Sequence, residues 1–268
     1  MKKNIFNFLT ILTLATTVFV ACDEDPNGNG NNGNNGNSKN QITMVTAETK
    51  VELYLAGLGN ITIDWGDGSE KEPFTLISSE TLYKHNYSSG GAHTIVIKGN
   101  VTSLEDGFKE YYIGVSSLDV SNNSSLTFLK LSSCELTSLD LSKNTALKKL
   151  HLDCEKLTSL DLSKNTALEE LELYCRKLTS LDLTKNLALK ELTLGCVELT
   201  CNVSNLPVLS ELECYGINNL SVSNCPLLKT ADSYYFSGNL KIIYCSSLES
   251  VFIGAGMISL DVSNCTSL

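Results

Sequence analysis

One 21-residue phrase occurs three times in succession over residues 136–198. The copies LTSLDLSKNTALKKLHLDCEK, LTSLDLSKNTALEELELYCRK and LTSLDLTKNLALKELTLGCVE begin at Leu136, Leu157 and Leu178. A fixed period of this length, with leucines at fixed offsets, constrains the chain to a stack. Each unit has too little apolar surface to close a core alone, so neighbours must cover one another. Each copy divides into an 11-residue half, such as 157–167, and a 10-residue half, such as 168–177, and both begin L-x-x-L-x-L. Alternation sends every second side chain inward. The spacing predicts one short strand per half, two parallel ladders over a leucine interior, and few or no helices.

All three copies carry L-x-x-L-x-L-x-x-N-x-x-L and in this resemble leucine-rich repeats. The first clear coil starts at Val115, and the register then drifts on to Leu268 with no polar capping segment. At Leu199-Thr200-Cys201-Asn202-Val203 one residue is lost relative to LTSLDL, and Pro207 falls in the next turn. The period shortens afterwards. Cys225, Cys245 and Cys265 then stand three residues before Leu228, Leu248 and Leu268, in the place held earlier by Asn123, Asn144, Asn165 and Asn186. In leucine-rich repeats this side chain turns inward to bond the backbone of the bend. The expectation is seven to eight coils of 20–21 residues over 101–268.

The chain starts differently. Met1-Lys2-Lys3 and an apolar run over 5–20 read as a secretory leader, closing in Phe19-Val20-Ala21-Cys22. That ending resembles a bacterial lipoprotein box, which implies removal of 1–21 and lipid on Cys22. Asp23-Glu24-Asp25 resembles the acidic signal that places lipoproteins of Bacteroidota-type bacteria on the exterior of the outer membrane. Residues 22–40 then read as a lipidated cysteine and an Asn-Gly linker with no means of burying a core.

Residues 41–100 hold short β-prone runs between turn residues. Trp65-Gly66-Asp67-Gly68, His85-Asn86-Tyr87 and Gly90-Gly91 before His93-Thr94-Ile95-Val96-Ile97 are similar to PKD-type, immunoglobulin-like domains. The resemblance implies a small β-sandwich in which Asp64, Asp67, His85 and His93 shape turns and strand ends, against a reading of the four as a metal or acid–base cluster. Trp65, the one tryptophan, belongs in that core.

Ten cysteines in an exported chain raise the question of disulfides. Cys134, Cys154, Cys175 and Cys196 recur at intervals of 20, 21 and 21 and should stack. Stacked Cβ vectors run parallel rather than converging, so buried free thiols are expected. No C-x-x-C pair exists, which argues against zinc, and neither a metal nor another cofactor is expected.

The repeats can be compared with one another. Asp119, Asp140, Asp161 and Asp182 form a constant outward column in one half. The other half varies: its outward centre reads Lys130, His151, Glu172, Thr193, Glu213, Asp232, Phe252. Tyr174, Arg176, Tyr215, Tyr234 and Tyr235 follow just past it. The predicted ligand-binding residues are His151, Glu172, Tyr174, Arg176, Thr193, Glu213, Tyr215, Tyr234 and Tyr235, because a tyrosine-rich ridge of mixed charge suits protein or sugar contact.

A formal charge of −10 disfavours nucleic acid, which needs a basic footprint, and the membrane is met through the N-terminal lipid alone. No nucleophile motif or isolated carboxylate pair is present, so an enzyme is not expected and glycan processing ranks last. The reading is a surface lipoprotein that binds or adheres to a host or bacterial surface protein or glycan, with a ligand-free spacer or scaffold as the alternative.

Overall fold

The computed structural model describes residues 40–107, 114–235 and 238–268, and they contain strands and turns but no helix. Cys22 with its leader, and Phe236 directly after Tyr235, lie outside the described residues.

The N-terminal strands are β1 (Gln41–Thr46), β2 (Lys50–Gly57), β3 (Gly59–Asp64), β4 (Glu72–Leu76), β5 (Thr81–Asn86), β6 (His93–Lys98) and β7 (Val101–Asp106). Alternation is clear in β1, β3 and β6, so that Ile42, Met44, Ile61, Ile63, Ile95 and Ile97 are buried between neighbours that are not, whereas β2 and β7 end in consecutive buried residues. One sheet runs β4-β3-β6-β1 and the other begins β5-β2-β7. Phe74 on β4 meets Tyr83 on β5 edge-on at 4.7 Å, which brings the two sheets face to face.

The motif residues of this region act on turns. Asp64 Oδ1 accepts the Gly66 N–H at 3.1 Å and Asp67 Oδ1 accepts the Ser69 N–H at 3.0 Å. These are Asx turns, in which the side chain takes up a backbone donor of the bend. Gly66 has φ +80°, and a Cβ there would stand 2.2 Å from the Thr94 carbonyl oxygen, so glycine is required on both counts. Buried Tyr87 donates its hydroxyl to the Trp65 carbonyl at 2.7 Å, and His85 stacks on Trp65 at 4.9 Å.

The solenoid follows as β8 (Ser117–Asp119), β9 (Phe128–Leu131), β10 (Lys149–Asp153), β11 (Glu170–Tyr174), β12 (Glu191–Leu194), β13 (Thr200–Ser204), β14 (Glu211–Tyr215), β15 (Asn219–Ser223), β16 (Thr230–Tyr234), β17 (Asn239–Ile243), β18 (Ser250–Ile253) and β19 (Ser259–Asp261). Strands β9, β10, β11, β12, β14, β16 and β18 pair in parallel, one per coil, giving seven rungs. The described residues therefore form an all-β, leucine-rich-repeat-type solenoid preceded by a smaller two-sheet unit.

The join between the two is hydrogen-bonded. β7 pairs antiparallel with β2 and parallel with β9, so the sheet begun by β5-β2-β7 continues into the solenoid as one sheet of ten strands. On the other side β1 pairs antiparallel with β8. The N-terminal sheets thus cover the first coil, and one apolar cluster runs from Ile42 to Leu248. Each fully buried leucine in it contributes about 1.5–3 kcal/mol of transfer free energy.

Two expectations are corrected. The second ladder forms in part: the LTSLDL segments of the three central copies make no named strand, only an isolated bridge from Ser180 to Thr200. Regular pairing on that side begins at β13-β15-β17-β19, after the period has shortened, with Cys201 opposite Leu220 and Leu220 opposite Leu240. The longer central coils have an additional residue in this half. Regular pairing starts at Thr200–Ser204, the first coil from which that residue is deleted.

The second correction concerns sulfur. Cys134 and Cys154 form a disulfide across a Cα–Cα distance of 4.7 Å, whereas Cys175 and Cys196 are free and buried. The first coil carries an additional residue before its cysteine, and Ser133 there has φ +54°. That left-handed residue turns Cys134 out of the parallel column and lets the two Cβ atoms converge. The remaining pair keeps the even spacing of the central copies and lacks the turn.

Asparagines rivet the coils. The Nδ2 of Asn165 donates to the carbonyls of Leu141 at 3.1 Å and Asn144 at 2.9 Å, and Asn144 and Asn186 repeat the pattern. Asn123 extends it to Val101 on β7 at 2.8 Å. The constant aspartates hold the outer turn: Asp119, Asp140, Asp161 and Asp182 each accept the N–H two residues on at 2.8–2.9 Å. Those donors hold the Asp140, Asp161 and Asp182 carboxyls below the usual carboxylate range.

Candidate functional site

The long sheet buries one face in the leucine core and turns the other to solvent. In-register pairing stacks the outward positions into three columns. The first reads Phe128, Lys149, Glu170, Glu191, Glu211, Thr230, Ser250, and the second Lys130, His151, Glu172, Thr193, Glu213, Asp232, Phe252. The third lies at the strand ends and holds Asp153, Tyr174, Tyr215 and Tyr234, with Gly195 between the first two tyrosines.

The third column becomes an aromatic row. Tyr174 meets Tyr215 at 5.9 Å, Tyr215 stacks on Tyr234 at 4.9 Å with 10° between planes, and Tyr234 meets Phe252 at 5.0 Å. Tyr174 and Tyr215 are two coils apart. They touch because the Tyr174 ring lies across Gly195, where a Cβ would be 2.1 Å from Tyr174 Cδ1. The Tyr215 hydroxyl donates to Glu213 Oε2 at 2.9 Å. Burial, reinforced by Glu172 and Glu213, pushes the Tyr174 phenol up to about 12, and burial with the Glu213 hydrogen bond raises Tyr215 as well. Both rings are thus neutral donors and acceptors in a negative field.

The first coils are polar and paired. His151 sits half-buried between Glu170, at 2.6 Å from Nε2, and Glu172, at 3.5 Å from Nδ1, with the Phe128 ring edge-on at 5.3 Å. A depression lined by Lys130, Ser132, His151, Asp153, Glu172 and Tyr174 lies there. Among the described residues no group of three or more His, Cys, Asp or Glu side chains is placed to hold a metal ion.

Seven of the nine predicted residues share this face: His151, Glu172, Tyr174, Thr193, Glu213, Tyr215 and Tyr234. Arg176 does not, since it sits in the turn after β11 with Nε 3.3 Å from Glu155. Tyr235 also stands apart, 83% exposed at a left-handed φ of +54° beyond the strand end. Phe252 and Gly195 were not among the predicted residues. Phe252 was legible as the last member of the variable column. A glycine inside a strand pattern signals close approach of another group, which is the role Gly195 has.

No protein-family model matches the chain, and no curated protein matches it. Among solved structures, the chain is similar to the functional domain of InlJ from Listeria monocytogenes, which includes a cysteine ladder. The two are 20% identical, with a TM-score of 0.32, over 62% of this chain. The match spans 45% of the InlJ chain.

Proposed function

We propose that the protein is a binding module that recognises another protein through the outward face of its long sheet, carried to the cell surface on a lipidated Cys22. The observation that carries the reading is the row Tyr174–Tyr215–Tyr234–Phe252, a continuous aromatic strip on a rigid, open sheet face. Aromatic side chains offer large contact area at low entropic cost, and repeat scaffolds extend such a surface rung by rung. The arrangement favours a protein over a glycan. A sugar ring docks on an open aromatic face, whereas Tyr215 and Tyr234 cover each other and present edges and hydroxyls. The carboxylates stand in ladders rather than as an isolated pair, which speaks for binding over hydrolysis.

In this reading the 41–100 unit is a PKD-like spacer and the chain is an outer-membrane lipoprotein of the Bacteroidota type. Screening the full chain against arrays of surface proteins and glycans tests the face. A protein ligand lost on Tyr215→Ala/Tyr234→Ala is the expected result. Ligands untouched by that variant, or glycans alone, would sink the reading, and clean arrays would leave a spacer. The anchor has its own test: protease added to intact cells should remove the protein, and Cys22→Ala should abolish lipid labelling.

A further inference from the structure

The charge pattern changes partway along the same face. On the early rungs opposite charges oppose each other and are paired: Lys130 with Glu105 at 3.1 Å, and Lys149 with Glu170 at 2.5 Å. Beyond β11 like meets like. Glu170 is in register with Glu191, Glu191 with Glu211, and Glu213 with Asp232. Among the described residues, no Lys, Arg or His nitrogen lies within 4.0 Å of Glu191, Glu211, Glu213 or Asp232. Like charges directly opposite in a sheet are destabilising. The fold has the alternative at hand, because in the adjoining turn Lys148, Glu169 and Lys190 form a paired ladder across three coils. The later rungs therefore hold four carboxylates in an arrangement that folding alone disfavours, beside the aromatic row.

Resting on the reading of this face as a protein-binding surface, we propose that its occupant is a cationic segment, an extended stretch of chain carrying arginine or lysine side chains. Arginine suits both halves of the surface. Its guanidinium makes paired, charge-assisted bonds to carboxylates and lies against aromatic rings. Glu191, Glu211, Glu213 and Asp232 supply acceptors on successive rungs. The Tyr215 hydroxyl stands at Glu213, and Phe252, 51% exposed, leaves ring surface for a cation–π contact at the end of the row. A cation at this place relieves the repulsion between rungs, which a neutral sugar or an acidic partner does not.

The test is the anisotropy of a labelled peptide of alternating arginine and serine titrated with the full chain. A glutamate–serine peptide serves as control. Saturable binding that weakens with salt, and a loss of about tenfold or more in Glu191→Gln/Glu213→Gln/Asp232→Asn, is the expected result. Charge-matched Glu135→Gln/Glu155→Gln/Glu198→Gln, in turns away from the face, should bind as wild type. Equal losses in both triple variants would reduce the effect to net charge and overturn the proposal, as would no binding. The face variant should also melt no lower than wild type, since it removes repulsion. A lower melting temperature would show the carboxylates serving the fold, against the proposal. A natural ligand lost on Tyr215→Ala/Tyr234→Ala but indifferent to the carboxylate variant would keep the face and reject the cationic partner. An arginine peptide lost with the carboxylates, alongside protein ligands indifferent to the tyrosines, would do the reverse.

Discussion

The ring of Tyr174 lies over the backbone of Gly195, one coil further on, and from there reaches Tyr215. A methyl group at Gly195 would have to occupy the place of the ring edge. Gly195→Ala should therefore displace Tyr174 and break the row at its first contact. Overpacking of this kind costs about 1–3 kcal/mol. Urea unfolding should show that loss, and Tyr174→Ala in the same chain should recover much of it. Additive losses in the double variant would mean that the two residues do not compete for space.

The asparagine ladder predicts an effect of similar size. Asn165→Ala removes the donor shared by the Leu141 and Asn144 carbonyls and leaves each with its one backbone donor, the Asn144 N–H at 3.0 Å and the Leu147 N–H at 3.1 Å. The expected destabilisation is about 1–3 kcal/mol, the sum of two lost bonds. Asn165→Cys should cost less. In the later coils Cys265 holds the equivalent place and offers its thiol to the Ile242 carbonyl at 3.4 Å. Equal losses for alanine and cysteine would show that the thiol is no substitute donor.

Much of this architecture was legible in the repeat because stacking and sequence share one period. Leu150, Leu171 and Leu192 recur once per copy, stand opposite one another in register and are buried on consecutive rungs. The parts that escaped depend on single residues that leave the period. Ser133 changes the direction of Cys134 through a left-handed φ that no leucine count reveals. The LTSLDL halves bury their leucines although they form no named strand, so the apolar pattern is the same with or without one. On the outward face of the long sheet, in-register stacking put seven predicted residues together. Arg176 and Tyr235 follow the strands in sequence, and there the chain has already turned away.

The cysteines give a chemical count. Among the cysteines of the described residues, alkylation in denaturant without reductant should label seven, Cys175, Cys196, Cys201, Cys214, Cys225, Cys245 and Cys265, and spare Cys134 and Cys154. In the native state the six buried thiols should react slowly, and the half-buried Cys265 faster. Burial raises the Cys201 thiol to about 12, and Cys175 is lifted by its contact with Cys196 and by burial. Thiols held protonated are poor nucleophiles. Closing a loop of this length stabilises by about 3 kcal/mol, so Cys134→Ser/Cys154→Ser should lose that much. Labelling of Cys134 and Cys154 without reductant would refute the bridge.

At the join of the two units, Asp106 on β7 is 1% exposed, and both its carboxylate oxygens accept the Ser132 N–H, at 2.8 and 2.7 Å. Burial pushes its carboxyl up to about 7 against those hydrogen bonds, with Glu105 raising it further and Lys130 lowering it. The folded state therefore retains a proton between about pH 4 and pH 7 that the unfolded chain has released. Stability from this group is full below about pH 4 and falls as the pH rises toward 7, by at most about 4 kcal/mol for a gap of this size. Other carboxylates act oppositely: those held low, such as Asp140 and Asp161, lose their contribution in acid. The measurement is thus a difference, urea midpoints of the wild type and of Asp106→Asn across pH 4 to 7.5. The variant, unable to titrate, should gain on the wild type as the pH rises. A constant difference would place the Asp106 proton outside this range, and a difference of the opposite slope would show the Ser132 hydrogen bonds outweighing burial.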